Sequence, residues 1–351
     1  MENISLNEKI NDLVVRMAKE PKNTDLYHQL SELYMQVPDY DKVMNVLDSL
    51  LAIKPDDVQA LVGMGTMWFY ERDFRKSLSY YNKALEINPK NYLIYFNIGN
   101  VFAEWKNFSK ALFYYNRAID LNANNPDIYN AIALLYQDIE DYVEAKAYYE
   151  KALSLDPENC NALIDMGNVC FKLNDYETAL KLFKKVFVLH PNNELVAVCI
   201  ANALTLTKDD KQAYAYYEKA LSMTDDKYKI YICYAISLTE FKEYARAEEM
   251  FKTAIDFDPE SANAIVLLAN FYSSHNRIEE AIELYKKALR VQPNNPETYM
   301  LLGNAHYLNN DIEQSIHSYR ASISLAPDND EYRLIYSQVI EDYVKSVRGE
   351  L

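Results

Sequence analysis

Between residues 24 and 329 the apolar positions fall on helical stripes, and the stripes come in pairs. In the segment Tyr92–Asn125, Tyr95, Ile98, Gly99 and Phe102 share one face of a first helix; Ala111, Tyr115 and Ala118 share one face of a second. The same pair recurs along the chain. A proline follows the second stripe at Pro55, Pro89, Pro157, Pro191, Pro259, Pro293 and Pro327, always 34 residues or twice 34 from the last, with Ala123 and Asp225 in the two vacant places and Pro21 one step upstream. Such a constant period means one structural unit stacked without insertions.

With that proline at position 32, the units run 24–57, 58–91, 92–125, 126–159, 160–193, 194–227, 228–261, 262–295 and 296–329. Position 8 is always small: Ser31, Gly65, Gly99, Ala133, Gly167, Ala201, Ala235, Ala269 and Gly303. Position 24 is Leu47 and then always aromatic, from Tyr81 and Tyr115 to Phe183 and Tyr319. Positions 15 to 17, as in Arg72-Asp73-Phe74 or Asn174-Asp175-Tyr176, read as a turn. Each unit is therefore predicted to be two antiparallel helices, A and B, with small residues letting the backbones approach and large rings filling the space beyond. Proline at 32 ends helix B. One such hairpin cannot bury both its apolar faces, but a stack of nine forms a continuous core. The fold class expected is all-α, an α-solenoid.

Large at 4, Leu/Ile at 7, Gly/Ala at 8, Tyr at 11, Ala at 20, Tyr/Phe at 24, Ala at 27 and Pro at 32 together resemble the tetratricopeptide repeat family, in register over Thr24–Asn329. The resemblance implies a right-handed superhelix of about nine repeats with helices A lining a concave groove. Residues 1–23 and 330–351 are expected to supply capping helices, Leu6–Lys19 through Leu6, Ile10, Leu13, Val14 and Met17, and Asp330–Val347 through Leu334, Ile335, Val339, Ile340 and Val344. Repeat six (194–227) departs most, with Ala197, Leu204, Asp210 and Asp225 at positions 4, 11, 17 and 32. It reads either as compensated drift or as a soft joint.

In this family positions 2, 5, 6, 9, 12 and 13 of helix A face the groove. Position 9 carries five asparagines, Asn100, Asn168, Asn202, Asn270 and Asn304, beside Glu32, Thr66, Leu134 and Ile236. An asparagine both donates and accepts, so this ladder suits an extended peptide backbone; the same residues also suit local bonds between repeats. Positions 5 and 6 are apolar at Phe96, Ile164, Val198, Ile232, Val266, Leu267, Met300 and Leu301, which reads either as a hydrophobic binding surface or as packing between neighbouring helices A. The predicted contact set is Phe96, Asn97, Asn100, Ile164, Asn168, Asn202, Ile232, Asn270 and Asn304.

Two devices of the family are not reproduced in these columns. Members that grip acidic chaperone tails use Lys at 5 and Arg at 6; neither column has one here, and Lys229 stands alone at position 2. The repeat style is similar to the repeat arm of O-linked N-acetylglucosamine transferases, yet the arm's asparagine at position 6 is matched only by Asn97.

Charge narrows the partners. With 36 Lys and Arg against 52 Asp and Glu, the net charge is −16, which disfavours nucleic acid and anionic membranes and favours an apolar or mildly basic protein or peptide. The N-terminus lacks the basic and apolar regions of a signal peptide, and Cys160, Cys170, Cys199 and Cys233 form no CxxC pair, so a cytoplasmic setting is expected. His28, His190, His275, His306 and His317 show no ligand spacing, and no phosphate loop or nucleophile motif is present. No catalytic residue, cofactor or metal is predicted, and His306, at a core position, is expected to be packed and hydrogen-bonded. The expected function is a non-enzymatic scaffold, monomeric or weakly self-associating, that holds an extended or helical segment in its groove. The alternative is a substrate-selecting arm or accessory subunit of an enzyme, such as a glycosyltransferase, on another chain.

Overall fold

The computed structural model describes residues 6–37 and 39–348, which contain twenty helices and no strand. They form two compact units, 1–175 and 176–351. The first holds α1 (Leu6–Lys19), the A helices α2 (Thr24–Gln36), α4 (Val58–Tyr70), α6 (Tyr92–Glu104), α8 (Pro126–Asp138) and α10 (Cys160–Lys172), and the B helices α3 (Tyr40–Ile53), α5 (Phe74–Ile87), α7 (Phe108–Leu121) and α9 (Tyr142–Leu155). The second opens with α11 (Tyr176–Leu189). Its A helices are α12 (Glu194–Leu206), α14 (Tyr228–Glu240), α16 (Ala262–Ser274) and α18 (Pro296–Leu308), its B helices α13 (Asp210–Leu221), α15 (Tyr244–Phe257), α17 (Ile278–Val291) and α19 (Ile312–Leu325), and α20 (Asp330–Val347) closes it.

The turn from A to B is built by two residues. Position 15 adopts the left-handed region at Arg72, Lys106, Glu140, Asn174, Lys208, Lys242, Asn276 and Asn310, with φ between 58° and 65°; in repeat one the position is Pro38, outside the described residues. That conformation reverses the chain. The next N–H then reaches back to position 11, as from Asn107 to the Phe102 carbonyl at 2.8 Å and from Asp141 to Tyr136 at 2.9 Å. The same residue starts helix B: the side chains of Asn107 and Asp141 accept from the N–H groups of Lys110 and Glu144. Helices A are capped in turn by position 34, where Asn159, Asn193 and Asn295 accept from Ala162, Val196 and Thr298.

In repeats two, three and nine the position-24 ring lies over the glycine at position 8. Tyr115, Tyr149, Tyr217, Tyr285, Tyr319 and Phe183 are among the largest fully buried side chains. A Cβ on Gly99 would lie 2.5 Å from the Tyr115 ring, so glycine there makes room for the ring. Where position 20 is serine, its hydroxyl donates to the facing backbone: Ser77 to Gly65 at 2.7 Å and Ser315 to Gly303 at 2.9 Å. On the second unit, Arg277 stacks 3.8 Å over Tyr272 and bridges Glu248 and Glu280. Burial alone would raise the Glu248 carboxyl pKa, but hydrogen bonds from Lys252, Arg277 and Tyr272 outweigh it and pull the group down to about 2.

The ends differ in part from expectation. Leu13 is buried against the first hairpin, but Val14, placed on the same face by the pattern, is 46% exposed. Val339 packs on Met300 and Tyr319 while Leu334 is 58% exposed. Three apolar residues in a row or a broad stripe exceed what a helix with one neighbour covers. Repeat six has a shortened helix B, twelve residues against fourteen in its neighbours, and Lys227, at the capping position, provides no side-chain cap for α14. His306 is buried, and burial lowers its pKa. Its Nδ1 lies 3.5 Å from the Asp311 carboxylate and makes no hydrogen bond, so the expected bond is absent at that nitrogen.

Candidate functional site

The helix-A face of each unit carries position-9 asparagines, and four of the five are held from behind. The Tyr115 hydroxyl donates to Asn100 Oδ1 at 2.7 Å in the first unit. In the second, Tyr217 donates to Asn202 and Tyr285 to Asn270, both at 2.5 Å, and Tyr319 to Asn304 at 2.7 Å. The pair is fixed by the hairpin: in repeats two, three, six, eight and nine, position 24 of helix B lies behind position 9 of helix A. Burial raises the tyrosine pKa values, for Tyr285 to about 12, so the hydroxyls stay protonated and donating. Each amide therefore has its oxygen engaged inward and its two N–H protons left for the outer side. Asn168 is exposed, and the position-24 residue of its repeat is Phe183, which has no hydroxyl. In repeat two the pair becomes Thr66 with Tyr81 at 2.9 Å, and in repeat four Tyr149 donates to Gln137 at 3.2 Å, because position 9 there is Leu134.

The predicted contact residues divide by burial. Asn97, Ile164 and Phe96 are partly exposed, Phe96 with its ring 5.7 Å from that of Tyr115. Ile232 is only 7% exposed and packs on Ala254 and Ala264, and Met300 is 4% exposed; these two belong to the core. Val198, Val266, Leu267 and Leu301 stay partly exposed. Sequence reasoning passed over Leu134 and Ile236, which interrupt the asparagine column and are 46% and 45% exposed. Apolar residues at a solvent-facing position were the available signal. In the second unit a cavity of about 270 Å³ opens between α16 and α18, lined by Val266, Leu267 and Leu301 with Asn263 and Asn270.

Other chemistry is sparse. No group of three or more His, Cys, Asp or Glu among the described residues is placed to hold a metal. All four cysteines are free, and burial raises the thiol pKa of Cys199 to about 11 and that of Cys233 as well, which suppresses thiolate reactivity. No described helix is long and apolar enough to cross a membrane.

Stacked helical hairpins bearing a patterned, partly apolar helix-A face define a repeat scaffold. Family models described as Tetratricopeptide repeat match residues 60–91, 92–125, 126–187, 238–285 and 296–329; one described as TPR repeat matches 269–310, and one described as Sel1 repeat matches 195–225, within the divergent repeat six. The chain belongs to the tetratricopeptide repeat family, whose members typically serve as protein–protein interaction scaffolds. No curated protein matches it by sequence. Among solved structures it is similar to yeast Tom70, at 16% identity over 98% of this chain and 93% of that one with a TM-score of 0.54. It is also similar to pilF of Pseudomonas aeruginosa, at 19% identity over 62% and 97% with a TM-score of 0.50. A third, YrrB, described as a TPR protein with an unusual peptide-binding site, is 24% identical over 53% and 95%, with a TM-score of 0.47. At these identities the likeness concerns the fold.

Proposed function

We propose that the protein is a non-enzymatic scaffold whose helix-A faces bind a peptide segment of a partner protein, apolar or mildly basic in character. The observation that carries this reading is the repeated tyrosine-to-asparagine hydrogen bond. It leaves a row of amide donors already oriented toward a ligand, and a donor fixed in advance loses little entropy on binding. Peptide carbonyl oxygens recur along any extended chain, so such a row serves binding without demanding particular side chains. Specificity then comes from what lies between the amides: Phe96, Asn97, Ile164 and Leu134 in the first unit, and the cavity beside Val266, Leu267 and Leu301 in the second. The net charge of −16 favours basic over acidic partners.

Affinity capture from native lysate with mass spectrometry tests the reading, using wild type beside a variant carrying Leu134→Glu, Asn168→Ala and Ile236→Glu. All three residues are exposed, so the variant is expected to remain helical by circular dichroism. A protein held by wild type and lost from the variant is the expected result. Equal recovery on both would place the working surface elsewhere on the molecule.

A further inference from the structure

Position 3 of helix A belongs to the core. It is Leu26, Ala60, Ile94, Ile128, Ala162, Val196, Ile230 and Ala264 in repeats one to eight, all of them buried. In repeat nine it is Thr298, buried alike at 4% exposure. An apolar residue would have suited the fold, as the other eight repeats demonstrate. The Thr298 backbone N–H is taken by the Asn295 cap, but no described residue makes a hydrogen bond with its hydroxyl. Nor is that hydroxyl sealed off. The buried side-chain atoms left without a partner are His28 Nδ1, Trp68 Nε1, Asn130 Oδ1 and His306 Nδ1, so the Thr298 oxygen keeps a path to solvent. Thr298 lines the cavity of about 270 Å³ between α16 and α18, and its hydroxyl opens there.

Val266, Leu267 and Leu301 give the same cavity aliphatic walls. Asn270 also lines it, with its oxygen held by Tyr285 and its two N–H donors free for the backbone of a bound segment. Glu297, exposed, is the one charged residue of the lining; it disfavours an acidic occupant, and the neutral remainder suits an uncharged one. A sphere of 270 Å³ is about 8 Å across, room for one large side chain. We propose that this cavity receives one tyrosine side chain of the bound segment, its ring between the aliphatic walls and its hydroxyl paired with that of Thr298. The proposal rests on the reading of the helix-A face as the binding surface. A phenol both donates and accepts, so it can meet the Thr298 hydroxyl in either sense. Phenylalanine would fill the same space, displace water from that hydroxyl and leave it unpaired. Serine or asparagine could pair with it but would leave the apolar walls wet.

A randomised peptide array in which each position is set in turn to tyrosine, phenylalanine, leucine, lysine, glutamate or alanine tests this, followed by fluorescence anisotropy on the best sequences. Wild type is expected to prefer tyrosine over phenylalanine in one register by about tenfold, the effect of one hydrogen bond set against an unpaired group. In Thr298→Val that ratio should fall to about one, with the phenylalanine peptide bound at least as tightly as before. In Thr298→Ser, which keeps a hydroxyl, the preference should persist. Valine already fills this column as Val196, so Thr298→Val is expected to melt at or above the wild-type temperature. Leu301→Trp fills the cavity from a partly exposed wall and leaves the core alone. It should weaken the tyrosine peptide by about tenfold or more, the loss of a buried ring, and leave the alanine peptide unchanged. Absence of a tyrosine preference, a preference unaltered by Thr298→Val, or tyrosine binding indifferent to Leu301→Trp would each overturn the pocket and leave the face standing as a binding surface. Failure of wild type to hold any peptide would overturn both.

Discussion

Changing Tyr115 to phenylalanine keeps the ring and removes only the hydroxyl that orients Asn100. Phe183 occupies the same column in repeat five, so the substitution introduces nothing foreign to the fold. The lost hydrogen bond is 2.7 Å long, and Asn100 is partly exposed and can turn to water. The cost is therefore about 1 kcal/mol. Asn100→Ala works on the other partner with a different result. Tyr115 is 2% exposed, so its hydroxyl is stranded in the core at a cost of about 1–3 kcal/mol, of which alanine's better helix propensity returns roughly 0.5. In the double variant the stranded hydroxyl is gone. Adding Tyr115→Phe to Asn100→Ala should thus be neutral or stabilising, and the cycle should show a coupling of about 1–2 kcal/mol. Urea denaturation followed by circular dichroism measures all four proteins, read as midpoint shifts at constant slope. Tyr115→Phe that destabilises equally in both backgrounds would refute the hydrogen bond and with it the oriented amide. The same variant should weaken peptide binding, though Tyr115 touches no ligand.

Further outcomes follow from the turns and the charge network. Glu140 sits in the left-handed region at φ 62°, so Glu140→Gly should stabilise by about 1 kcal/mol, whereas Glu150→Gly, on the exposed face of α9, should destabilise by about 1 kcal/mol; opposite signs in parallel melts are the check. Glu248 has its folded pKa depressed from 4.5 to about 2. The stability it contributes is complete above the unfolded value and is lost as pH falls toward 2, so the gap between wild type and Glu248→Gln should be constant above about pH 5 and close below it, as calorimetry across that range would record. Repeat six, with its short α13 and uncapped α14, should exchange amide hydrogens faster at residues 222–227 than repeat eight does at 290–295; equal protection would dispose of a soft joint.

The 34-residue period carried most of the helical layout, because proline at 32, small residues at 8 and rings at 24 are each demanded by a feature of the hairpin that admits few alternatives. The turn was legible as a turn but not as chemistry. Arg72 and Lys106 are basic and Glu140 is acidic, and what sets the turn is their shared backbone angle. The asparagine column was visible as a column. What it lacked was its partner, since Tyr115 lies fifteen residues from Asn100 on the other helix, and the pairing emerges only when the hairpin closes. Burial of Ile232 and Met300 against exposure of Leu134 and Ile236 was equally hidden, because all four lie on the nominal outer side of helix A and only packing against neighbouring helices separates them.

The tyrosine-to-asparagine bond also bears on how the protein comes to exist. Its partners are fifteen residues apart, and a longer bond, from the Tyr307 hydroxyl to the Asp342 carboxylate, spans about one repeat. Interactions this local close small loops, which form quickly. A ribosome need release only one hairpin and its successor before the first can lock its ring under its amide. Assembly can therefore keep pace with synthesis, with each finished repeat serving as the template on which the next one settles.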